Sequence, residues 1–264
     1  MMKKTILEVV NSMYERIKVS KINNHIWLLN DHDEATGYLI TGEKRGLIID
    51  TMYGREDVKK VAEELTNLPL SVVNTHGHWD HVYGNIYFEE VYIHQADISI
   101  ASHYFERTSF QKMIRKKGLK PARFATVAEG DVFDLGGIVL DIYEVPGHTP
   151  GGIVLLDRKD RILFTGDSII EQTWMQLPDS LPMETFLSSL QKVQKLRSEF
   201  DYVLTGHGRG LEDASLCEAH IKAVEDVCQG KTEKDESYRW FAGECMAHPY
   251  GKEPRRIAYN KSDL

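Results

Sequence analysis

Residues 74–84 read Asn74-Thr75-His76-Gly77-His78-Trp79-Asp80-His81-Val82-Tyr83-Gly84 and take over from a strand expected across Ser71 to Thr75. Three histidines and a carboxylate fall within six positions. Imidazole and carboxylate are donors suited to zinc and to other divalent first-row metals. Side chains alternate along extended backbone, so His76 and His78 point the same way, while Asp80 and His81 follow where the chain turns into a helix expected over Asp80 to Phe88. Gly77 would let the backbone pass close to an ion, and Gly84 would permit a tight helix approach. One or two such histidines would read as an ordinary polar loop; the whole cluster reads as a metal site.

His-x-His-x-Asp-His resembles the signature of the metallo-β-lactamase superfamily, and the rest of that family's pattern follows in order. Asp50 ends the run Leu47-Ile48-Ile49 and matches the first motif. His148 stands in Pro146-Gly147-His148-Thr149-Pro150-Gly151, Asp167 in Phe164-Thr165-Gly166-Asp167-Ser168, and His207 in Leu204-Thr205-Gly206-His207-Gly208. Each of these three follows a glycine at a strand end. The resemblance implies two divalent metal ions, zinc first with iron or manganese as alternatives. His76, His78 and His148 would hold one, Asp80, His81 and His207 the other, with Asp167 bridging. It also implies attack by a hydroxide between the ions, since coordination brings the pKa of water to about 7 and two ions about 3.5–4 Å apart stabilise both entering and leaving oxygens. Asp50 is then a brace behind the histidine loop, and Asp80 has a second, catalytic role in passing a proton to the leaving group.

Aspartate at the fourth motif separates subfamilies. Asp167 is similar to the acid of hydroxyacylglutathione-type thioesterases, lactonases and phosphodiesterases, so β-lactam hydrolysis is the lesser expectation. The implied enzyme is a metal-dependent hydrolase of a small-molecule ester, thioester or lactone. Two alternatives stand beside it: a phosphodiesterase or nuclease of the same superfamily, and a mononuclear-iron enzyme resembling its persulfide dioxygenases. A diiron flavoprotein would need a further flavin domain.

Composition narrows the partners. The 264 residues are 42% hydrophobic and 27% charged with a net charge of −8, a globular balance that disfavours nucleic acid and anionic membrane. Met1 to Val10, with Lys3 and Lys4, lacks a cleavage site and is not read as a signal peptide. No run approaches 18 apolar residues. A cytoplasmic protein is expected, with no membrane partner. Cys217, Cys228 and Cys245 stand in no CxxC pair and read as reduced thiols. The partner is a small-molecule substrate; seven basic residues without an acid between Arg107 and Arg123 raise an anionic one against the alternative of a solvated helix face. A homo-oligomer stays open.

Strands are expected over Lys18 to Leu29, Thr36 to Thr41, Gly46 to Asp50 and Val91 to His94, with a β-rich stretch from Val132 to Ile169 and a strand at Tyr202 to Thr205. Helices are expected over Tyr53 to Leu65, Asp97 to Lys117, Met183 to Phe200 and Leu216 to Gln229. Two halves of strands followed by helices give an α/β fold, a four-layer αββα sandwich of two mixed β-sheets flanked by helices, which is also the metallo-β-lactamase fold the resemblance implies. No linker divides the chain, so residues 1–264 read as one domain. Residues 238–264 read as an aromatic C-terminal tail that caps the site or joins subunits. Trp79, Tyr83 and Trp174 are candidate walls of a substrate pocket, with core packing as the alternative. Among the remaining histidines, His103 and His248 are the two that could overlie the site.

Overall fold

The structure is a computed structural model that describes residues 5–252 and 254–263; Lys3 and Lys4 lie outside them. In chain order, α1 (Ile6–Met13) precedes β1 (Ile17–Lys21), β2 (Ile26–Asp31), β3 (Ala35–Thr41) and β4 (Gly46–Ile49). Then come α2 (Val58–Glu63), β5 (Leu70–Val73), α3 (Trp79–Val82), β6 (Glu90–His94), α4 (Ile98–Glu106), α5 (Thr108–Lys117) and β7 (Arg123–Val127). The second half holds β8 (Val132–Asp134), β9 (Val139–Glu144), β10 (Ile153–Asp157), β11 (Ile162–Gly166), β12 (Gln172–Trp174), α6 (Met183–Lys195), β13 (Tyr202–Thr205), β14 (Glu212–Asp213) and α7 (Ser215–Cys228). Three last strands follow, β15 (Glu236–Trp240), β16 (Gly243–Pro249) and β17 (Arg256–Tyr259).

Strands β1 to β7 form one sheet in sequence order, antiparallel up to β4 and parallel beyond it. The second sheet runs β14-β13-β11-β10-β9-β8 and is mixed through the parallel β11–β13 pair. The two-residue period of a strand explains the layers. Tyr38, Ile40, Leu47 and Ile49 face Leu155, Phe164 and Leu204 across the gap between the sheets. Their neighbours Leu39 and Ile48 face Val58, Val61 and Ala62 of α2, while Val154 and Leu156 face Phe186, Leu190 and Val224 of α6 and α7. Helix, sheet, sheet and helix stack as the sequence predicts.

Local boundaries differ where tertiary contacts override pattern. The first expected strand is a hairpin, broken at residues 22–25. The helix expected from Tyr53 starts only at Val58, where Asp57 caps Lys60 N at 3.1 Å. The expected long helix over Asp97 to Lys117 bends at Arg107 (φ −59°, ψ 137°), which lets Phe105 stack on Phe110 with centroids 4.7 Å apart. After Val82 the chain tightens into a 3₁₀ turn over Tyr83–Tyr87.

The C-terminal segment is no loose tail. β15, β16 and β17 form a sheet with β12, and β17 runs parallel to β12 with Trp174 opposite Ala258. Ile257 and Tyr259 are fully buried in the core that α6 and α7 share with the second sheet, and Tyr259 OH donates to Asp235 at 2.6 Å.

Close packing also explains Gly84. A Cβ there would stand 2.1 Å from the backbone oxygen of Thr51, so the glycine allows the 3₁₀ turn to pack directly on that backbone. Gly84→Ala is expected to lower stability by about 1–3 kcal/mol, the usual cost of overpacking. A shifted urea midpoint at unchanged slope would show it, and an unshifted midpoint would refute it.

Candidate metal centre

The strands deliver the seven expected ligands to one edge of the sandwich. His76 and His78 follow β5, Asp80 and His81 lie on α3, His148 is in the loop after β9, and Asp167 and His207 follow the parallel neighbours β11 and β13. Donor atoms of His76, His78 and His148 lie within 4.8 Å of one another, as do those of Asp80, His81 and His207. His78 Nδ1 is 3.0 Å from His148 Nε2. Asp167 stands between the two sets: Oδ2 lies 3.1 Å from His207 Nε2 and 3.8 Å from His148 Nε2, and Oδ1 lies 3.5 Å from His81 Nε2. Asp80 Oδ2 is 3.5 Å from His207 Nε2. The geometry thus brings together every residue of the two expected sets.

The outward nitrogens are already engaged. His81 Nδ1 faces Asp50 Oδ2 at 2.9 Å, His148 Nδ1 faces the Trp174 carbonyl at 2.9 Å, His207 Nδ1 faces the Glu34 carbonyl at 2.7 Å, and His76 Nδ1 faces Thr75 Oγ at 3.1 Å. Such contacts fix each tautomer and aim the other nitrogen inward. The inward atoms His76 Nε2, His81 Nε2 and Asp167 Oδ1 are buried and have no hydrogen-bond partner. A buried polar atom without a partner is costly. Divalent cations held by the two sets would remove that cost, and imidazole with carboxylate is the donor set of zinc and similar ions, so the residues fit a metal.

Electrostatics agree. Burial, with the neighbouring histidines, holds His76 well below its ordinary value and His148 at about 4, so both present lone pairs at neutral pH. Burial alone would raise the Asp167 carboxyl, but the charges of His207 and His81 hold it well below the usual range. Burial works against His207 too, yet Asp167 raises it to about 9. A cation entering beside His207 would therefore displace a proton.

Two positioning residues, Asp97 and Asp179, escape sequence reading. Asp97, fully buried, accepts from Gly77 N at 2.7 Å, Thr149 Oγ at 2.7 Å and Gly151 N at 2.6 Å, tying the loop of His76 and His78 to that of His148. A Cβ at Gly77 would lie 2.7 Å from the main-chain oxygen of Asp97, so the glycine lets the histidine loop pass close against that residue. Asp179 stands 3.6 Å from His78 Nε2, and the facing ring lowers its carboxyl pKa. Residues so far apart in sequence leave no local signal of their meeting.

A cleft of about 840 Å³ opens over the centre, within the range of small-molecule sites. Trp79 and Trp174 line it. Tyr83 does not: it is buried against Phe110 at 4.5 Å, the core-packing alternative. His248 is engaged by Asp235, while His103 packs beside Tyr104, which lines the cleft. None of the basic residues from Arg107 to Arg123 lines it; Arg209 is the lining arginine.

A family model described as the metallo-beta-lactamase superfamily matches residues 32–207. The chain is 28% identical over 201 residues to the acyl-coenzyme A thioesterase MBLAC2 of Gallus gallus, covering 66% of this chain and 73% of that protein. It is 29% identical over 178 residues to the hydroxyacylglutathione hydrolase GloC of Haemophilus influenzae, covering 63% and 81%. Among solved structures, DIM-1 metallo-beta-lactamase superposes with a TM-score of 0.59 at 21% identity over 81% of this chain and 99% of that one, a likeness of fold. No helix among the described residues is long and apolar enough to cross a membrane.

Proposed function

Because the chain belongs to the metallo-β-lactamase superfamily, we propose that it is a metal-dependent hydrolase of a small-molecule thioester, holding two zinc ions on the residues described above. The observation that carries this reading is the pair of donor sets whose unpartnered inward atoms meet at the buried Asp167 carboxylate. Relatives named as an acyl-coenzyme A thioesterase and a hydroxyacylglutathione hydrolase support the thioester over the ester and lactone.

When bound, the ions would supply a water acidified to near-neutral pKa and polarisation of the scissile carbonyl. The rest falls to the chain. Asp50 orients His81 and, through Thr75, the start of the histidine loop. Asp167 places negative charge between the two donor sets, which limits repulsion between like-charged occupants. Asp80, on the cleft wall beside His207, carries a carboxylate that can take up the proton released by the attacking water and pass it to the departing thiolate.

The test is elemental analysis of protein purified without added metal, paired with turnover of thioesters, lactones, phosphodiesters and a β-lactam. About two zincs per chain with thioesters turned over fastest is the expected result. One iron per chain with oxygen uptake and no hydrolysis would overturn the reading, as would phosphodiesters turned over fastest.

A further inference from the structure

We propose that the tip of the β15–β16 hairpin, together with Trp174, forms an acyl-binding subsite that takes an apolar acyl chain of the substrate. The proposal deepens the thioester reading and rests on it. The hairpin lies outside residues 32–207, the stretch the family model matches.

Large aromatic residues stand uncovered at this tip. Trp240 is 52% exposed and Phe241 69%, although both are among the most apolar side chains available. They are not randomly placed. Trp240 stacks on Trp174 with centroids 5.9 Å apart and planes 8° apart, and Tyr238, two residues earlier on the same face of β15, stacks on Trp174 at 5.8 Å and 22°. Arg256 lies over the Tyr238 ring at 5.0 Å. The wall is therefore fixed before any ligand arrives, which lowers the entropic cost of binding against it.

The wall also meets the chemistry. The carbonyl of Trp174 fixes His148, so the aromatic surface begins at a residue that orients a metal donor. Trp174, Leu177, Trp240 and Phe241 line the same cleft as His78, His148 and Asp167. Around His207 the lining is polar instead, with Glu34 supplying the carbonyl to His207 and Arg209 paired to Asp33 at 3.5 Å. A thioester is polarised in the same sense. Its acyl chain would lie on the aromatic wall beside His148, and its thiol half on the polar wall beside His207 and Asp80.

The experiment uses the full-length, metal-loaded protein and the variant W240A/F241A, whose altered side chains are exposed and support no core. kcat/KM is measured for the octanoyl and acetyl thioesters of one small thiol. The octanoyl-to-acetyl ratio should fall about 10-fold or more in the variant, because each buried methylene contributes a factor of about four. An unchanged ratio would overturn the subsite. In parallel, quenching of tryptophan fluorescence by octanoate and by acetate needs no turnover: wild-type protein should bind octanoate more tightly, and the variant should lose that preference. Octanoate preference without any thioester hydrolysis would sink the reaction and keep the subsite; hydrolysis without the preference would do the reverse. A wild-type dimer that becomes a monomer in the variant at an unchanged ratio would assign the tip to a second copy and overturn the proposal.

Discussion

Replacing Asp167 by asparagine should strip the protein of about one metal ion per chain and cut thioester turnover by about 10²-fold or more, the scale of losing one preorganised electrostatic contact. Asparagine matches aspartate in shape, so the neighbours of Asp167 stay in place. What disappears is the negative charge that lies within 4 Å of His207, His148 and His81. Without it, two dications held by the neighbouring donor sets would repel with no carboxylate left between the sets to offset them. The carboxamide would also turn an NH₂ group toward one of the histidine nitrogens, and that donor cannot serve a cation. Elemental analysis and kcat on the purified variant, with thermal melting as a check on folding, read the outcome. Two ions per chain with kcat within about threefold of wild type would remove Asp167 from between the ions.

How far this centre is legible in the sequence depends on the distance between the residues concerned. His76, His78, Asp80 and His81 sit in one stretch whose alternation and turn are local, whereas His148, Asp167 and His207 are expected from the resemblance of their glycine-led motifs to the family's pattern. The layers are readable for the same reason: Tyr38, Leu39 and Ile40 alternate, and alternation assigns each to a face. What escapes such reading depends on partners far along the chain. Asp97 looks like the start of a helix, and only the fold shows it accepting from residues 20 and more than 50 positions away. Trp174 has a short strand to itself, and its partner β17 lies more than 80 residues on. Tyr83 stands next to the metal motif in sequence but turns into the core, because the 3₁₀ turn after Val82 rotates it toward Phe110. The C-terminal segment lacks a clean two-residue period, since β15 has both faces largely exposed while β17 is buried.

Asp50 offers the sharpest separation between holding the fold and tuning the centre. Its carboxylate accepts from Thr75 N at 2.8 Å and Thr75 Oγ at 2.7 Å while facing His81 Nδ1 at 2.9 Å. Its backbone is left-handed, with φ of 60°. Asparagine tolerates that conformation and alanine does not. Asp50→Asn should therefore keep the backbone and at least one bond to Thr75, yet weaken the acceptor that fixes the His81 tautomer. Metal affinity is expected to drop about 10- to 100-fold, as for other groups that orient a ligand histidine, with melting temperature little changed when the protein is saturated with metal. Asp50→Ala should do more. It adds the left-handed penalty and leaves the buried Thr75 N–H unpaired, together costing about 2–5 kcal/mol of stability. Competition with a chelator gives the affinities, and denaturant unfolding gives the stabilities. If asparagine keeps wild-type affinity while alanine loses stability, Asp50 acts mainly as a backbone brace and the His81 contact is incidental; if asparagine loses affinity while alanine loses both, the carboxylate charge serves the metal and the bonds to Thr75 serve the fold.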